Sequence, residues 1–166
     1  ISSINGTELP QTTCTYTNTS TTAAEWYAYT PSSNYTVTVT SDLIENICLD
    51  TRLRIYSGTC NALTCVVADD DSGTLTCTTN SNSYLSRASF NAVAGTTYYI
   101  VWDNRYAATG FNFQVSELPP GYNPCATSTT ITAGTTSVNT IDQTNINTAC
   151  SSATLSKWYS YIPTVN

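Results

Sequence analysis

A run of three acidic residues, Asp69-Asp70-Asp71, is the densest group of reactive side chains in this 166-residue sequence. It follows a predicted strand and precedes a turn at Ser72-Gly73, and Asp50 comes just before another predicted strand. Adjacent carboxylates repel one another unless they are solvated or bind a cation, and calcium takes about six to eight oxygen ligands. If the two loops meet, we expect a structural calcium site formed by Asp50, Asp69, Asp70 and Asp71. The alternative is a solvated acidic loop.

A second group of polar and aromatic side chains follows the predicted strand that ends near Asp103. It combines an indole, an amide, a guanidinium and a phenol that could stack on a sugar and hydrogen-bond to it. The candidate ligand-binding residues are Trp102, Asn104, Arg105 and Tyr106. The alternative is that Trp102 belongs to the core and that Tyr106 covers the loop.

The composition excludes several classes of function. The sequence has no His, so Ser-His-Asp hydrolysis and most zinc hydrolases are excluded. Only 5 Lys and Arg oppose 11 Asp and Glu, giving a net charge of −6, whereas a nucleic-acid partner requires clustered basic residues. No apolar run approaches the roughly 20 residues of a membrane helix. We expect no enzymatic activity, no nucleic-acid partner and no membrane insertion.

The 7 Cys indicate disulfide bonds and therefore a secreted protein, outside the cell or on its surface. The spacing favours Cys60–Cys65 and Cys48–Cys77, the second closing a loop of about 30 residues. Cys48–Cys60 with Cys65–Cys77, or the crossed pairing, remain open as alternatives. The sequence alone does not decide between them.

The elements that must position these residues are predicted to be short strands. Apolar and polar residues alternate along most of the sequence, most clearly in Tyr35–Ser41, and turn signals separate the alternating segments. Since no helix is predicted between neighbouring strands, the pattern favours an all-β fold, an antiparallel β-sandwich. The other predicted strands are 25–30, 52–56, 63–68, 87–91, 97–103 and 111–117.

An internal repeat and a Pro-rich connector predict a second domain. Glu25–Asn34 and Lys157–Asn166 share a Trp, two Tyr, a Pro and an Asn at equal positions, and three prolines fall within 119–124. We therefore predict a sandwich domain at 1–118 with its N-terminal edge cut, a linker at 119–124, and the opening strands of a similar domain at 125–166. In this scheme Cys125 pairs with Cys150, and Cys14 pairs with a cysteine outside the sequence.

Four segments resemble a known family: Cys48-Leu-Asp-Thr-Arg-Leu-Arg-Ile-Tyr-Ser-Gly-Thr-Cys60, then 63–71, 86–100 and 109–115. They are similar to the pre-peptidase C-terminal (PPC-like) and CUB-like β-sandwich repeats of large proteins secreted by gliding, flavobacterium-type bacteria. The resemblance covers roughly 24–118, and 125–166 as a partial copy. It implies a jelly-roll-like sandwich and calcium near the acidic loops.

These observations lead to one functional hypothesis and two alternatives. We expect a structural and adhesive repeat module of a long bacterial cell-surface protein or filament, whose partners are neighbouring repeats or subunits and surface glycans. The first alternative is a glycan- or protein-binding accessory domain of a secreted hydrolase. The second is a filament subunit that polymerises by strand donation through 125–166. Asn5, Asn18 and Asn34 also match the N-glycosylation pattern.

Overall fold

The computed structural model describes residues 1–10, 14–16, 20–122, 128–141, 143–144 and 155–163. The chain divides into two compact units, Ile1–Pro120 and Gly121–Asn166. The first unit contains two antiparallel sheets that enclose one apolar core. The predicted all-β sandwich is therefore confirmed.

The strands of the first unit lie close to the predicted positions. One sheet has the order β1-β6-β3-β4 and the other the order β5-β2-β7. A short 3-10 turn occupies Ile44–Asn46, between the second and third strands. The strands are β1 (Ala24–Tyr29), β2 (Tyr35–Thr40), β3 (Arg52–Thr59), β4 (Ala62–Asp69), β5 (Arg87–Ala92), β6 (Tyr98–Asp103) and β7 (Gln114–Leu118).

Alternation along the strands places one side chain in two between the sheets. Val37 and Val39 of β2 and Leu53 and Ile55 of β3 are fully buried there, as the sequence pattern requires. Trp102 of β6 is also fully buried in this core.

The outer face of the four-stranded sheet carries a second apolar cluster. Its buried members are Cys14, Ala24, Tyr56 and Val101, with further apolar side chains packed around them. The segment before β1 lies against this face, because the Glu8 carbonyl accepts a hydrogen bond of 2.7 Å from the Trp26 indole N–H. A sheet face turned away from the core is usually polar, so this cover explains why the face is apolar.

The disulfides correct part of the predicted pairing. Cys48 pairs with Cys77, which was the expected bond, but Cys65 pairs with Cys14, and Cys60 forms no disulfide. The predicted Cys60–Cys65 bond is therefore wrong, and so is a partner for Cys14 outside the sequence. Cys60 lies in the turn after β3, and Cys65 lies roughly 10 Å along the extended strand that begins at Ala62. The predicted Cys125–Cys150 bond falls outside the described residues.

In the second unit, the described residues include four short strands. They are β8 (Thr129–Ile131), β9 (Gln143–Thr144), β10 (Leu155–Ser156) and β11 (Tyr159–Tyr161). β9 and β10 pair antiparallel, whereas β8 and β11 pair parallel. β11 belongs to the predicted copy of the Trp26–Tyr29 strand. It is parallel to its partner β8, whereas β1 is antiparallel to β6. That the unit opens a second sandwich stays a prediction.

Candidate functional site

Three of the four predicted calcium ligands lie together at one end of the sandwich. Asp50 comes just before β3, and Asp70 and Asp71 follow β4 directly. β3 and β4 form an antiparallel hairpin in which Leu53 is paired with Asp69, so the start of one strand meets the end of the other. One carboxylate oxygen from each of Asp50, Asp70 and Asp71 lies within 4.8 Å of the other two.

The electrostatics of this cluster disfavour three free negative charges. Burial, and then the negative charges of Asp71 and Asp70, raise the pKa of Asp50 to about 6, although the charge of Arg52 lowers it. Burial and then the charge of Asp71 raise the pKa of Asp70 to about 6. The pKa of Asp71 is also raised, by burial first and then by Asp69. A cation among the three carboxylates would remove the repulsion.

Two oxygen atoms of the cluster have no hydrogen-bond partner within the described residues. They are Oδ1 of Asp50 and Oδ1 of Asp70, and both are buried. A buried acceptor without a donor costs free energy unless it has some other ligand. Hard cations such as calcium bind such oxygens. The donor set therefore fits calcium, which Asp50, Asp70 and Asp71 would hold together with backbone oxygens or water.

Asp69, the fourth predicted ligand, has a different role. Its Oδ2 atom accepts hydrogen bonds from the backbone N–H of Ser72, at 3.2 Å, and of Arg87, at 2.7 Å. The side chain is 9% exposed and lies at the last position of β4. Asp69 joins the acidic turn to β5 and is not part of the cluster.

The predicted ligand-binding loop is only partly available to a ligand. Trp102 is fully buried against Phe111 and Phe113, so its assignment as a ligand-binding residue was wrong. The side-chain oxygen of Asn104 accepts hydrogen bonds of 2.9 Å from the backbone N–H groups of Thr22 and Ala23, so this side chain fixes the loop. Alternation along β6 could have identified Trp102 as inward, two positions after the inward Ile100.

Arg105 and Tyr106 remain accessible, and they lie beside two residues that the sequence analysis missed. The guanidinium carbon of Arg105 is 5.3 Å from the centre of the Tyr106 ring, and that of Arg52 is 5.8 Å from the same ring. Arg52 is also 5.8 Å from the ring of Tyr16. Such distances are typical of cation–π contacts.

Arg52 therefore connects the two predicted sites. Its charge lowers the pKa of Asp50 and Asp70, and its guanidinium lies over Tyr106. Tyr16 belongs to the same neighbourhood, because its pKa is raised by burial and then by the charge of Asp70. The only sequence signal for this arrangement was a pair of Arg residues, 52 and 54, alternating with the inward Leu53 and Ile55.

The predicted glycosylation positions are accessible where the structure describes them. Asn5 and Asn34 are exposed. The Asn34 side-chain oxygen accepts a hydrogen bond from the Ala94 backbone N–H at 2.9 Å, so this amide takes part in a turn contact. Asn18 lies outside the described residues.

The comparisons with known proteins identify no relative. No protein-family model, curated protein or solved structure matches the chain. Among the residues that the structure describes, no helix has the length and apolar character needed to cross a membrane.

Proposed function

We propose that the Ile1–Pro120 unit is a non-catalytic structural and adhesive module of an extracellular surface protein, and that calcium stabilises it. The observation that carries this proposal is the placement of the two disulfides. Cys14–Cys65 fixes the segment before the first strand to β4, and Cys48–Cys77 joins two loops. Structural disulfides form and persist mainly in oxidising compartments, which supports a location outside the cell. The resemblance to PPC-like and CUB-like repeats supports the same role.

The acidic cluster and one disulfide act on the same two loops. Cys48 precedes Asp50 by two residues, and Cys77 follows Asp71 by six. A calcium ion held by Asp50, Asp70 and Asp71 would therefore fix noncovalently the junction that the disulfide fixes covalently. We expect such an ion to stabilise the fold and to take no part in a reaction.

The test of the calcium role is thermal unfolding of the intact chain, first with EDTA and then with excess calcium. A ligand at about a hundred times its dissociation constant stabilises by roughly 2.7 kcal/mol, which a melting curve resolves easily. We expect calcium to raise the melting temperature of the native chain and of Glu45→Gln, which alters an exposed carboxylate elsewhere. In Asp71→Asn, calcium should raise the melting temperature by less than it does in the native chain. An equal melting temperature in EDTA and calcium would contradict the site.

The test of the modular role is the size of the native polypeptide under reducing, denaturing conditions. A repeat module of a long surface protein should occur in a chain far larger than 17.9 kDa. A larger chain that joins one such domain to a hydrolase would contradict the structural role and favour an accessory domain.

The exposed side chain of Tyr106 favours a second candidate, an accessory domain that binds a glycan or a protein. Tyr106 is 51% exposed, and Arg52 and Arg105 lie over its ring. Exposed aromatic rings held beside Arg are common at binding surfaces. A glycan array tests this candidate: binding that Tyr106→Ala abolishes and Tyr35→Phe preserves would support it. Equal array signals from the native chain and Tyr106→Ala would contradict it.

A further inference from the structure

The N-terminal segment leaves a groove open on the outer apolar face of the four-stranded sheet. The groove has a volume of about 380 Å³. Among the described residues it is lined by Glu8, Leu9, Trp26, Cys60, Leu63 and Tyr99. It lies near the β3–β4 turn, at the opposite end of that hairpin from the carboxylates. The groove and the calcium cluster are therefore separate sites.

Two aromatic rings form a corner within this groove. The rings of Trp26 and Tyr99 have centroids 6.5 Å apart and planes inclined by 66°. Trp26 also stacks on the fully buried Tyr56, with centroids 5.7 Å apart and an angle of 19°. The stack below and the hydrogen bond from the indole N–H to the Glu8 carbonyl hold Trp26 in place. The corner is therefore preorganised.

The remaining polar groups of the groove match a cation better than an anion. Glu8 is the one charged residue among the described residues that line it. The indole N–H of Trp26 already has an acceptor, and the Cys60 thiol lies 4.0 Å from the Tyr99 hydroxyl. Aromatic ring faces attract cations within about 6 Å of the ring centre. The net charge of −6 also favours a positively charged ligand.

We propose that this groove binds a small quaternary ammonium compound, with the methylated nitrogen between the rings of Trp26 and Tyr99 and beside the carboxylate of Glu8. Its methyl groups would contact Leu9 and Leu63, since both apolar side chains line the same groove. The volume lies within the range of small-molecule pockets, about 300–1,000 Å³. This proposal does not depend on the calcium site.

The first experiment compares a cation with its neutral isostere by calorimetry on the intact chain in EDTA. Choline and 3,3-dimethyl-1-butanol have nearly the same shape, and only choline is charged. We expect choline to bind about fivefold more tightly or more, which corresponds to a solvent-accessible cation–π contact. Equal affinities would show a merely apolar groove and would overturn the proposal. Binding of methyl glucoside without binding of choline would also overturn it, by identifying a sugar site.

The second experiment uses variants that keep the stack of Trp26 on Tyr56 intact. Tyr99→Leu removes one ring and should weaken choline binding about fivefold, whereas Tyr99→Phe keeps the ring and should bind as the native chain does. Tyr161→Leu, which removes an exposed ring that does not line the groove, is the matched control. Choline affinities of Tyr99→Leu and Tyr161→Leu that both equal the native value would overturn the site.

Two further variants test the charge and the position of the ligand. Glu8→Gln should lower choline affinity severalfold and leave binding of the neutral isostere unchanged, whereas Glu45→Gln should change neither. A bulky maleimide on the exposed Cys60 thiol should block choline, and Cys60→Ser should bind choline and resist the maleimide. Full choline binding by the Cys60-labelled native chain would place the ligand elsewhere.

Discussion

Arg52 and Asp103 form a buried two-point ion pair on the outer face of the four-stranded sheet, beneath the segment before β1. Nε of Arg52 lies 2.9 Å from Oδ2 of Asp103, and Nη2 lies 2.8 Å from Oδ1. The two side chains are only 4% and 1% exposed. Arg54, which is fully buried, pairs with the same carboxylate, so one acidic side chain neutralises two neighbouring arginines.

Replacing the shared carboxylate should be strongly destabilising. Asp103→Ala leaves two buried guanidinium groups without their counter-charge, and breaking a buried pair in this way costs about 3–5 kcal/mol. The measurement is the free energy of unfolding in urea, with Glu45→Gln as the surface control. A loss below about 1 kcal/mol, the size typical of an exposed pair, would contradict the structural role of Asp103.

The calcium-free protein should become more stable as the pH falls from 7 towards 5. The pKa values of Asp50 and Asp70 are raised to about 6 in the folded chain, against 3.8 for an ordinary Asp, so the folded state binds protons more tightly. Stability must then decrease as the pH rises from about 4 to about 6. Melting curves in EDTA across this range measure the effect, and Asp50→Asn should reduce it. A native melting temperature that rises over this interval would contradict the assignment.

Removing the Cys14–Cys65 bond should cost more than altering Cys60. The bond closes a loop with a sequence separation of 51, which corresponds to about 4 kcal/mol on the chain-entropy model. The double variant Cys14→Ala with Cys65→Ala should lose stability of that order, while Cys60→Ser should change it by about 0.5 kcal/mol or less. Peptide mapping of the unreduced chain checks the pairing directly. A peptide that joins Cys60 to Cys65 would contradict it.

Gly110 should not tolerate a side chain. Ile1 and Phe111 exchange backbone hydrogen bonds, from the Ile1 amino group at 3.0 Å and from the Phe111 N–H at 3.1 Å. A Cβ atom at Gly110 would overlap the Ser2 carbonyl oxygen and lie 2.6 Å from that of Ile1. We expect Gly110→Ala to lower the free energy of unfolding by about 1–3 kcal/mol, as overpacking does. The rate of hydrogen exchange at the Ile4 backbone N–H should also rise.

A deletion of residues 1–5 provides the control for this prediction. Without the N-terminal segment, Gly110→Ala should lose most of its effect, because the contact that it disturbs no longer exists. If Gly110→Ala destabilises the shortened chain as much as the full chain, the cause lies in the loop that contains Gly110 and not in its contact with the N-terminal segment.

The sequence pattern was sufficient for the strands because alternation is a local property. Val37 and Val39, and Leu53 and Ile55, could be assigned to the core from their spacing alone. The hairpin also brought Asp50 close to Asp70, as expected from the order of the strands. These features depend on neighbouring residues in the chain and on simple strand pairing.

The features that the sequence did not reveal depend on contacts over long distances in the chain. Cys14 meets Cys65 only because the segment before β1 crosses the outer face of the sheet, and no pattern near either residue indicates that crossing. The aromatic corner of Trp26 and Tyr99 arises because β1 and β6 are neighbours, although they are far apart in sequence. Asp69 accepts hydrogen bonds from the backbone of Ser72 and Arg87, whereas Asp70 joins the carboxylate cluster, and nothing in the run of three Asp distinguishes the two residues.

The Cys14–Cys65 bond also limits how far this unit can be stretched. A tensile load applied between the two ends of the unit passes through the disulfide, so the chain between the two cysteines carries no tension. With a separation of 51 and roughly 3.3–3.6 Å of contour length per residue, about 170–180 Å of polypeptide cannot be drawn out while the bond is intact. β1, β2 and β3 lie within that protected length, whereas β5, β6 and β7 follow Cys65 and carry the load. Under tension the unit would therefore lose β7, β6 and β5, which pair with the protected strands, while the 14–65 stretch is drawn out only after a reductant cleaves the bond.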